Sequence, residues 1–359
     1  MSASSQVTRQ DRSAEFGEQV RQANVEKTPL RLVGGGTKAF YGRPVDGEIL
    51  ELSGHQGITF YDPAELVVSV RTGTPLSALE ATLADAGQQL ACEPPHFGPN
   101  ATVGGMIATG LSGPRRPWAG AVRDFVLGTR VITHQGEEVR FGGEVMKNVA
   151  GYDLSRLMVG GLGILGPITE VSLKVLPQPL ASHSLQLELS LPVALEKLAA
   201  WGQRPLPITA AAYSDGRLLL RLEGGHGSVE ATAKSLGGEP LDNGFWTELR
   251  EHRLPFFQRD TDTRPLWRLS LPLNIPPLTL AGDWLLDWGG AQRWLRSDVP
   301  ATEIRALASA RGGHATCFTP GAAEPFTPLP AALARYHRAL KAQLDPHGIF
   351  NPGRLYAEV

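Results

Sequence analysis

Residues 160–171 read GGLGILGPITEV. Gly161, Gly163 and Gly166 spell G-x-G-x-x-G, the letters of a dinucleotide-binding turn in a doubly wound α/β fold. That turn needs a strand before the glycines and a helix after them, because the diphosphate sits on the helix N-terminus. Here the order is reversed. The preceding YDLSRLMV (152–159) carries Leu154, Leu157 and Met158 at helical spacing. The following ITEVSLKVL (168–176) alternates: Thr169, Val171, Leu173 and Val175 share one side, Glu170, Ser172 and Lys174 the other. The stretch reads as a glycine-rich link from a helix to a strand, outside a doubly wound sheet.

Two more glycine clusters precede it. GGGTK (34–38) follows the short strand PLRLV. Residues without Cβ let successive N–H groups converge on one oxyanion, and Thr37 and Lys38 can add to such a nest. The second cluster, TVGGMIATG (102–110), reads as a turn running into a closely packed helix. Glycine-rich turns beside strands at three points imply a long ligand running through the first half of the chain. GGGTK lacks the spacing and the hydroxyl of a P-loop.

The bulk properties narrow the class. The chain has 359 residues, a length suited to two domains. Hydrophobic residues make up 42% and charged residues 19%, so a large core is available. A formal net charge of −2 does not favour nucleic acid or an anionic membrane surface. The two cysteines, Cys92 and Cys317, fit a reducing compartment and cannot supply a four-thiolate iron–sulfur cluster. The polar first 20 residues lack an apolar signal core, and no apolar run is long enough to span a membrane. A cytoplasmic protein is expected.

Three blocks follow from the patterning. The first, 1–179, opens with a helix near Ala14–Ala23 and includes a helix in PLSALEATLADAG, with Leu76, Leu79 and Leu83 on one stripe. It also contains a hairpin turning at Gln135–Gly136. The second, 180–319, alternates strands with occasional helices, as in an antiparallel sheet with helices on one face. Its halves read as pseudo-repeats of a ferredoxin-like unit. The third, 320–359, is a helix with an apolar stripe of Leu333, Tyr336, Leu340 and Leu344, followed by the tail IFNPGRLY.

The stretches LRLVGGGTKAFYG, PPHFGPNATVGGMIATGLSGPRRPWAGAVRDFVLGTRVIT and EVMKNVAGYDLSRLMVGGLGILGPITEVSLKVLP, in this order, resemble the PCMH-type FAD-binding domain of the vanillyl-alcohol oxidase superfamily. FGGEVMKNVAGYDLSRLMVG, DWGGAQRWLR, GGHAT and LDPHGIFNPGRLYAE are similar, more narrowly, to the FAD-binding subunits of bacterial glycolate oxidases. The resemblance implies an α+β fold: a PCMH-type FAD domain, a ferredoxin-like α+β cap, and a C-terminal helix and tail packing back on the FAD domain.

For the cofactor, the resemblance places Gly34, Gly35, Gly36, Thr37 and Lys38 at the first pyrophosphate loop. Thr102, Gly104 and Gly105 fall at the second, and Gly161, Gly163, Gly166 and Ile168 beside the adenosine half. Lys147, Asn148 and Tyr152 fall near the flavin ring or ribose. Some relatives attach FAD through a histidine in the first loop. That loop is glycine here, so non-covalent FAD is expected, with His55, His96 and Cys92 as the nearest reactive side chains in the sequence. Relatives that oxidise 2-hydroxy acids carry a histidine-rich metal motif in the cap. This chain has no such motif: LEGGHGSVE offers His226 alone and GGHAT offers His314 alone, so no metal is expected.

The implied activity is oxidation of glycolate, or D-lactate, to the 2-oxo acid within a complex. The other members would be a catalytic FAD subunit and an iron–sulfur subunit that passes electrons to a membrane acceptor, which would hold the chain at the inner membrane only indirectly. A self-sufficient 2-hydroxy-acid dehydrogenase and a subunit with a vestigial flavin site are the alternatives. Cations for a substrate carboxylate are sought at Arg115 and Arg116, then Arg221 and Arg268, with Lys147 and Tyr152 as further catalytic candidates. No base stands out.

Overall fold

The computed structural model describes residues 10–143, 153–258 and 261–359. The chain forms two compact units: residues 1–111, 121–178 and 328–359 make the first, and residues 112–120 and 179–327 the second.

In the first unit, helix Ser13–Glu26 leads into β1 (Leu30–Val33), which pairs in parallel with β2 (Glu48–Glu51). A parallel pair needs a long crossover, and residues 34–47, with GGGTK at their start, supply it. Phe16, Val20, Leu30, Leu50 and Ile132 pack around this pair with Ile349 and Phe350 of the tail.

The remaining strands are β3 (Ile58–Asp62), β4 (Val67–Arg71), β5 (Gln88–Gln89), β6 (Val126–Ile132), β7 (Glu138–Gly142), β8 (Ile168–Lys174) and β9 (Leu176–Pro177). Five of them form an antiparallel sheet in the order β3-β4-β8-β6-β7. The expected hairpin is β6–β7, with Gly136 at φ +74°. The expected helix is Leu76–Asp85, with Leu76, Leu79 and Leu83 fully buried. Residues 160–166 run from helix Leu154–Leu157 into β8, which is helix first and strand second.

The second unit is one eight-stranded sheet. Its strands are β10 (Ala181–Glu188), β11 (Ile208–Ser214), β12 (Arg217–Gly224), β13 (Glu239–Leu241), β14 (Leu266–Ser270), β15 (Asp283–Asp287), β16 (Gln292–Arg296) and β17 (His314–Cys317). Their order is β13-β10-β12-β11-β15-β16-β14-β17, antiparallel throughout. Each half follows the same 4-1-3-2 ferredoxin-like order, and the halves join through their second strands, β11 and β15.

The second half has no helix between its first two strands. In its place the loop at Ile275–Pro276 is held by the buried guanidinium of Arg293, which donates to the Ile275, Pro276 and Gly290 carbonyls. Burial lowers the Arg293 pKa to about 10.

The sequence blocks were divided at 179 and 319, whereas the units divide at 178 and 327. Residues 112–120 join the second unit for a visible reason. The Trp288 indole donates to the Gly113 carbonyl at 2.9 Å, and Arg115 pairs with Glu223 at 2.7 Å.

His252 lies in this unit in an aromatic box, stacked on Phe257 at 4.1 Å and edge-on to Trp294 at 4.5 Å. Burial, with the charges of Arg268 and Arg296, lowers its pKa to about 3. The unfolded chain takes up this proton near the ordinary histidine value of about 6.5, so below that pH it binds more protons than the folded chain. Stability is therefore expected to fall as pH drops below about 6.5, by up to about 1.4 kcal/mol per unit from this group. Urea midpoints measured from pH 7 down to 5 check the expectation; a flat profile would contradict it.

The C-terminal helix Ala331–Leu344 departs from the reading of its stripe. Leu333 is 50% exposed and Tyr336 61% exposed, while Lys341 is buried. Leu340 and Leu344 of the stripe are half-buried, and a buried ion pair fixes the helix beside them. Lys341 Nζ lies 2.7 Å from Asp345 Oδ2 and donates to the Ile164 and Phe350 carbonyls at 2.6 Å each. Asp345 in turn accepts from the Ile349 and Phe350 amides.

Candidate functional site

A groove of about 500 Å³ opens in the first unit at the end of β1. Its first wall is the turn that follows Val33. The amides of Gly35, Gly36 and Thr37 have no hydrogen-bond partner among the described residues, so three successive donors are available there. Gly36 has φ +70°, a left-handed conformation, and a Cβ there would project into open space.

Gly35 is constrained differently. A Cβ on it would stand 1.5 Å from the Asn100 carbonyl oxygen. The close backbone approach inferred from the glycines is thus made first to the protein's own loop 96–101. Thr37 and Lys38 reinforce that contact. The Thr37 hydroxyl donates to the His96 carbonyl at 2.7 Å, and the buried Lys38 Nζ donates to the same oxygen at 3.2 Å. Both residues line the groove.

The second wall is Thr102 with helix Val103–Thr109. The Thr102 hydroxyl caps the helix, accepting from the Gly105 amide at 3.1 Å. The Val103 and Gly104 amides donate to the Thr74 and Thr72 carbonyls at 3.0 and 2.7 Å. The amides at this turn therefore already have partners, and Gly104 and Gly105 offer the groove bare backbone surface. A Cβ on Gly104 would meet Thr72 at 2.9 Å, whereas one on Gly105 would meet only the Thr102 hydroxyl, at 3.4 Å.

The third wall is 162–168. Leu162, Gly163, Gly166 and Ile168 line the groove; Gly161 does not. The loop is stitched to the second wall by Gly160 N–H on the Ile107 carbonyl (3.0 Å) and Leu162 N–H on the Ala108 carbonyl (2.9 Å).

Further lining residues, which no glycine cluster marks, include Arg31, Asp46, Ile49, Thr72, Thr109, Asn351 and Arg354. Asn351 and Arg354 come from the tail. The buried Asn351 accepts from the Leu32 amide at 2.9 Å and donates to the Leu162 carbonyl at 2.7 Å. Arg354 donates to the Arg43, Ala39 and Tyr41 carbonyls. Burial, then the charge of Arg31, lowers its pKa. An asparagine in N-P-G after a helix was the available signal, since Asn tolerates the positive φ of +41° found at 351.

Among the lining residues Arg31, Lys38 and Arg354 outnumber the acidic Asp46. Three available amides, a cationic lining and walls of bare backbone fit an extended ligand with a diphosphate in its middle. His55, His96 and Cys92 are not in the lining. His55 accepts the Arg12 amide, the His96 ring lies 2.9 Å from Glu80, and burial pushes the Cys92 thiol up to about 12. Among the described residues, no group of three His, Cys, Asp or Glu side chains is placed to hold a metal.

Lys147, Asn148 and Tyr152 lie outside the described residues. Arg115 and Arg116 lie in the second unit. Arg115 is buried against Glu223, which also lies 3.1 Å from Arg221, and Arg116 stacks over the Trp288 ring at 4.4 Å. Glu223 thus neutralises part of the cationic cluster expected to meet a substrate.

A family model described as an FAD binding domain matches residues 6–142. Over 95% of this chain and 75% of its own, a solved alkyldihydroxyacetonephosphate synthase superposes with a TM-score of 0.66 at 18% identity. Fold and family model together define an FAD-binding protein of the PCMH-type fold. At 56% identity over 97% of this chain, the similarity to the glycolate oxidase subunit GlcE of Escherichia coli (strain K12) covers 99% of that protein. The chain belongs to the GlcE family. The glycolate oxidase subunit GlcD of Bacillus subtilis (strain 168) is 34% identical over 44% of this chain, a stretch that covers 34% of GlcD. No helix among the described residues is long and apolar enough to cross a membrane.

Proposed function

We propose that this chain is the FAD-carrying subunit of a glycolate oxidase or dehydrogenase complex that converts glycolate, or D-lactate, to the 2-oxo acid. The full-length similarity to GlcE carries this reading. The diphosphate of FAD takes the amides of Gly35, Gly36 and Thr37, with Lys38 supplying charge. Thr102, Gly104 and Gly105 face the diphosphate from the second wall. Gly163, Gly166 and Ile168 lie beside the adenosine half, with Gly161 shaping their loop. The resemblance assigns Asn148, with Lys147 and Tyr152, to the ribose or flavin ring.

When bound, FAD supplies a two-electron acceptor for the hydroxyl-bearing carbon. The chain's own residues bind and orient it. A catalytic FAD subunit and an iron–sulfur subunit complete the complex, because two buried cysteines cannot ligate a cluster. Arg115, Arg116, Arg221 and Arg268 are the candidates for a substrate carboxylate, and Arg115 already pairs with Glu223. Purified chain and partners, assayed separately and together with glycolate and a dye, test this assignment. Turnover by the chain alone would remove the need for the complex.

FAD is held non-covalently, in keeping with the position of the histidines and Cys92 outside the lining. Acid precipitation is expected to leave the flavin in the supernatant; flavin in the pellet would overturn the point.

Gly105→Ala separates ligand contact from folding. The protein has room for the methyl group, and alanine is favoured over glycine in a helix by about 1 kcal/mol. The apoprotein is expected to melt no lower than wild type, while FAD affinity falls about tenfold because the methyl enters the diphosphate's space. Unchanged affinity in a fluorescence titration would place FAD away from this wall.

A further inference from the structure

We propose that Asn351 is a positioning residue that sets the width of the groove at its adenosine end. The proposal rests on the FAD reading above. Asn351 is 5% exposed and comes from a tail more than 180 residues away in sequence from either wall it touches. Its side-chain oxygen accepts from Leu32 N–H on β1, the strand that leads into the first glycine loop. Its side-chain nitrogen donates to the carbonyl of Leu162, in the third loop. One amide group therefore spans two walls of the groove, with donor and acceptor each matched to one of them.

The backbone of Asn351 joins in, because its N–H donates to the Leu30 carbonyl at 3.0 Å. A φ of +41° restricts the position to residues that tolerate the left-handed region, asparagine and aspartate foremost after glycine. The tail itself is fixed by the Lys341–Asp345 pair, so the amide is held on a rigid support.

Aspartate has nearly the same shape and keeps the acceptor for Leu32, but as a carboxylate it cannot donate to Leu162. Two acceptors would then face each other in a buried site, and the third loop would move away from β1. Protonation restores a donor, because a neutral carboxyl group carries one O–H. Burial beside a carbonyl raises the pKa of the introduced carboxyl, which puts its titration above the ordinary aspartate range.

The test titrates wild type and Asn351→Asp with FAD between pH 5 and 8, following flavin fluorescence. Wild type is expected to bind with little pH dependence. The variant is expected to bind about tenfold or more weakly at pH 8 and to recover toward wild type as pH falls to 5. Recovery on protonation, with a melting temperature equal to wild type at pH 8, separates the positioning role from general destabilisation of the tail. Wild-type binding with an unchanged variant overturns the positioning role and leaves the FAD reading intact. A weakened variant with no recovery at low pH also overturns the role. Failure of wild type to bind FAD overturns both.

Should the variant not fold, hydrogen exchange of the wild type with and without FAD decides the question. Joint protection of residues 160–168 and 349–354 on FAD loading supports the role, and protection of 160–168 alone overturns it.

Discussion

Gly35→Ala is expected to yield a protein that carries no flavin and unfolds at markedly lower denaturant. The added methyl would stand 1.5 Å from the Asn100 carbonyl oxygen, and both partners are backbone. No rotamer change relieves such a clash. Loop 34–38 must move away from loop 96–101, which breaks the Thr37 and Lys38 bonds to the His96 carbonyl. Overpacking of this kind costs about 3 kcal/mol or more. The same movement displaces the three available amides, so FAD binding is lost with it. The urea midpoint and the 450 nm absorbance of the purified variant check both parts. A stable yellow variant would show that the two loops are not held as described. The contrast with Gly105→Ala is the useful one. Both sites are glycines in the groove wall, yet one is required by the protein's own packing and the other is proposed to be required by the ligand.

Asp345→Ala carries the second large effect. Asp345 is 1% exposed and accepts from Lys341 Nζ and from the Ile349 and Phe350 amides. Removing the carboxylate leaves a buried ammonium without its counter-charge and two buried amides without acceptors. Breaking a buried pair in this way costs about 3–5 kcal/mol. Burial already lowers the Lys341 pKa against the pull of Asp345, so Lys341 in the variant tends toward its neutral form. The tail that carries Asn351 and Arg354 loosens, and FAD affinity declines together with stability. Thermal melts and FAD titrations of the variant measure the two effects. A melting temperature within a degree or two of wild type would contradict the account.

Local elements were legible in the sequence where one face meets a core. The stripe Leu76, Leu79 and Leu83 corresponds to a helix with that side buried, and the alternation of 169–175 to a strand whose polar side is also covered at Ser172. Reversal of helix and strand around 160–166 was legible for the same reason. Long-range polar contacts were not. Lys341 sits on the buried side of its helix because it finds Asp345 and two carbonyls there, and no periodicity of apolar residues announces such a site. Leu333 and Tyr336 consequently face solvent.

The groove was half legible. Glycine clusters marked its walls, but which glycines meet a ligand and which meet another loop depends on distances such as that between Gly35 and Asn100. N-P-G marked a turn at Asn351, but nothing local placed Asn351 and Arg354 in the lining, because more than 300 residues separate them from β1 and the loop they touch.

The central claim is that the groove at the end of β1 holds one FAD without a covalent bond. The most direct measurement is the flavin content of the purified chain, reconstituted with FAD, desalted and then acid-precipitated. One equivalent of FAD per chain is expected, all of it in the supernatant. A chain that retains no FAD after reconstitution, or keeps it in the pellet, would contradict the account.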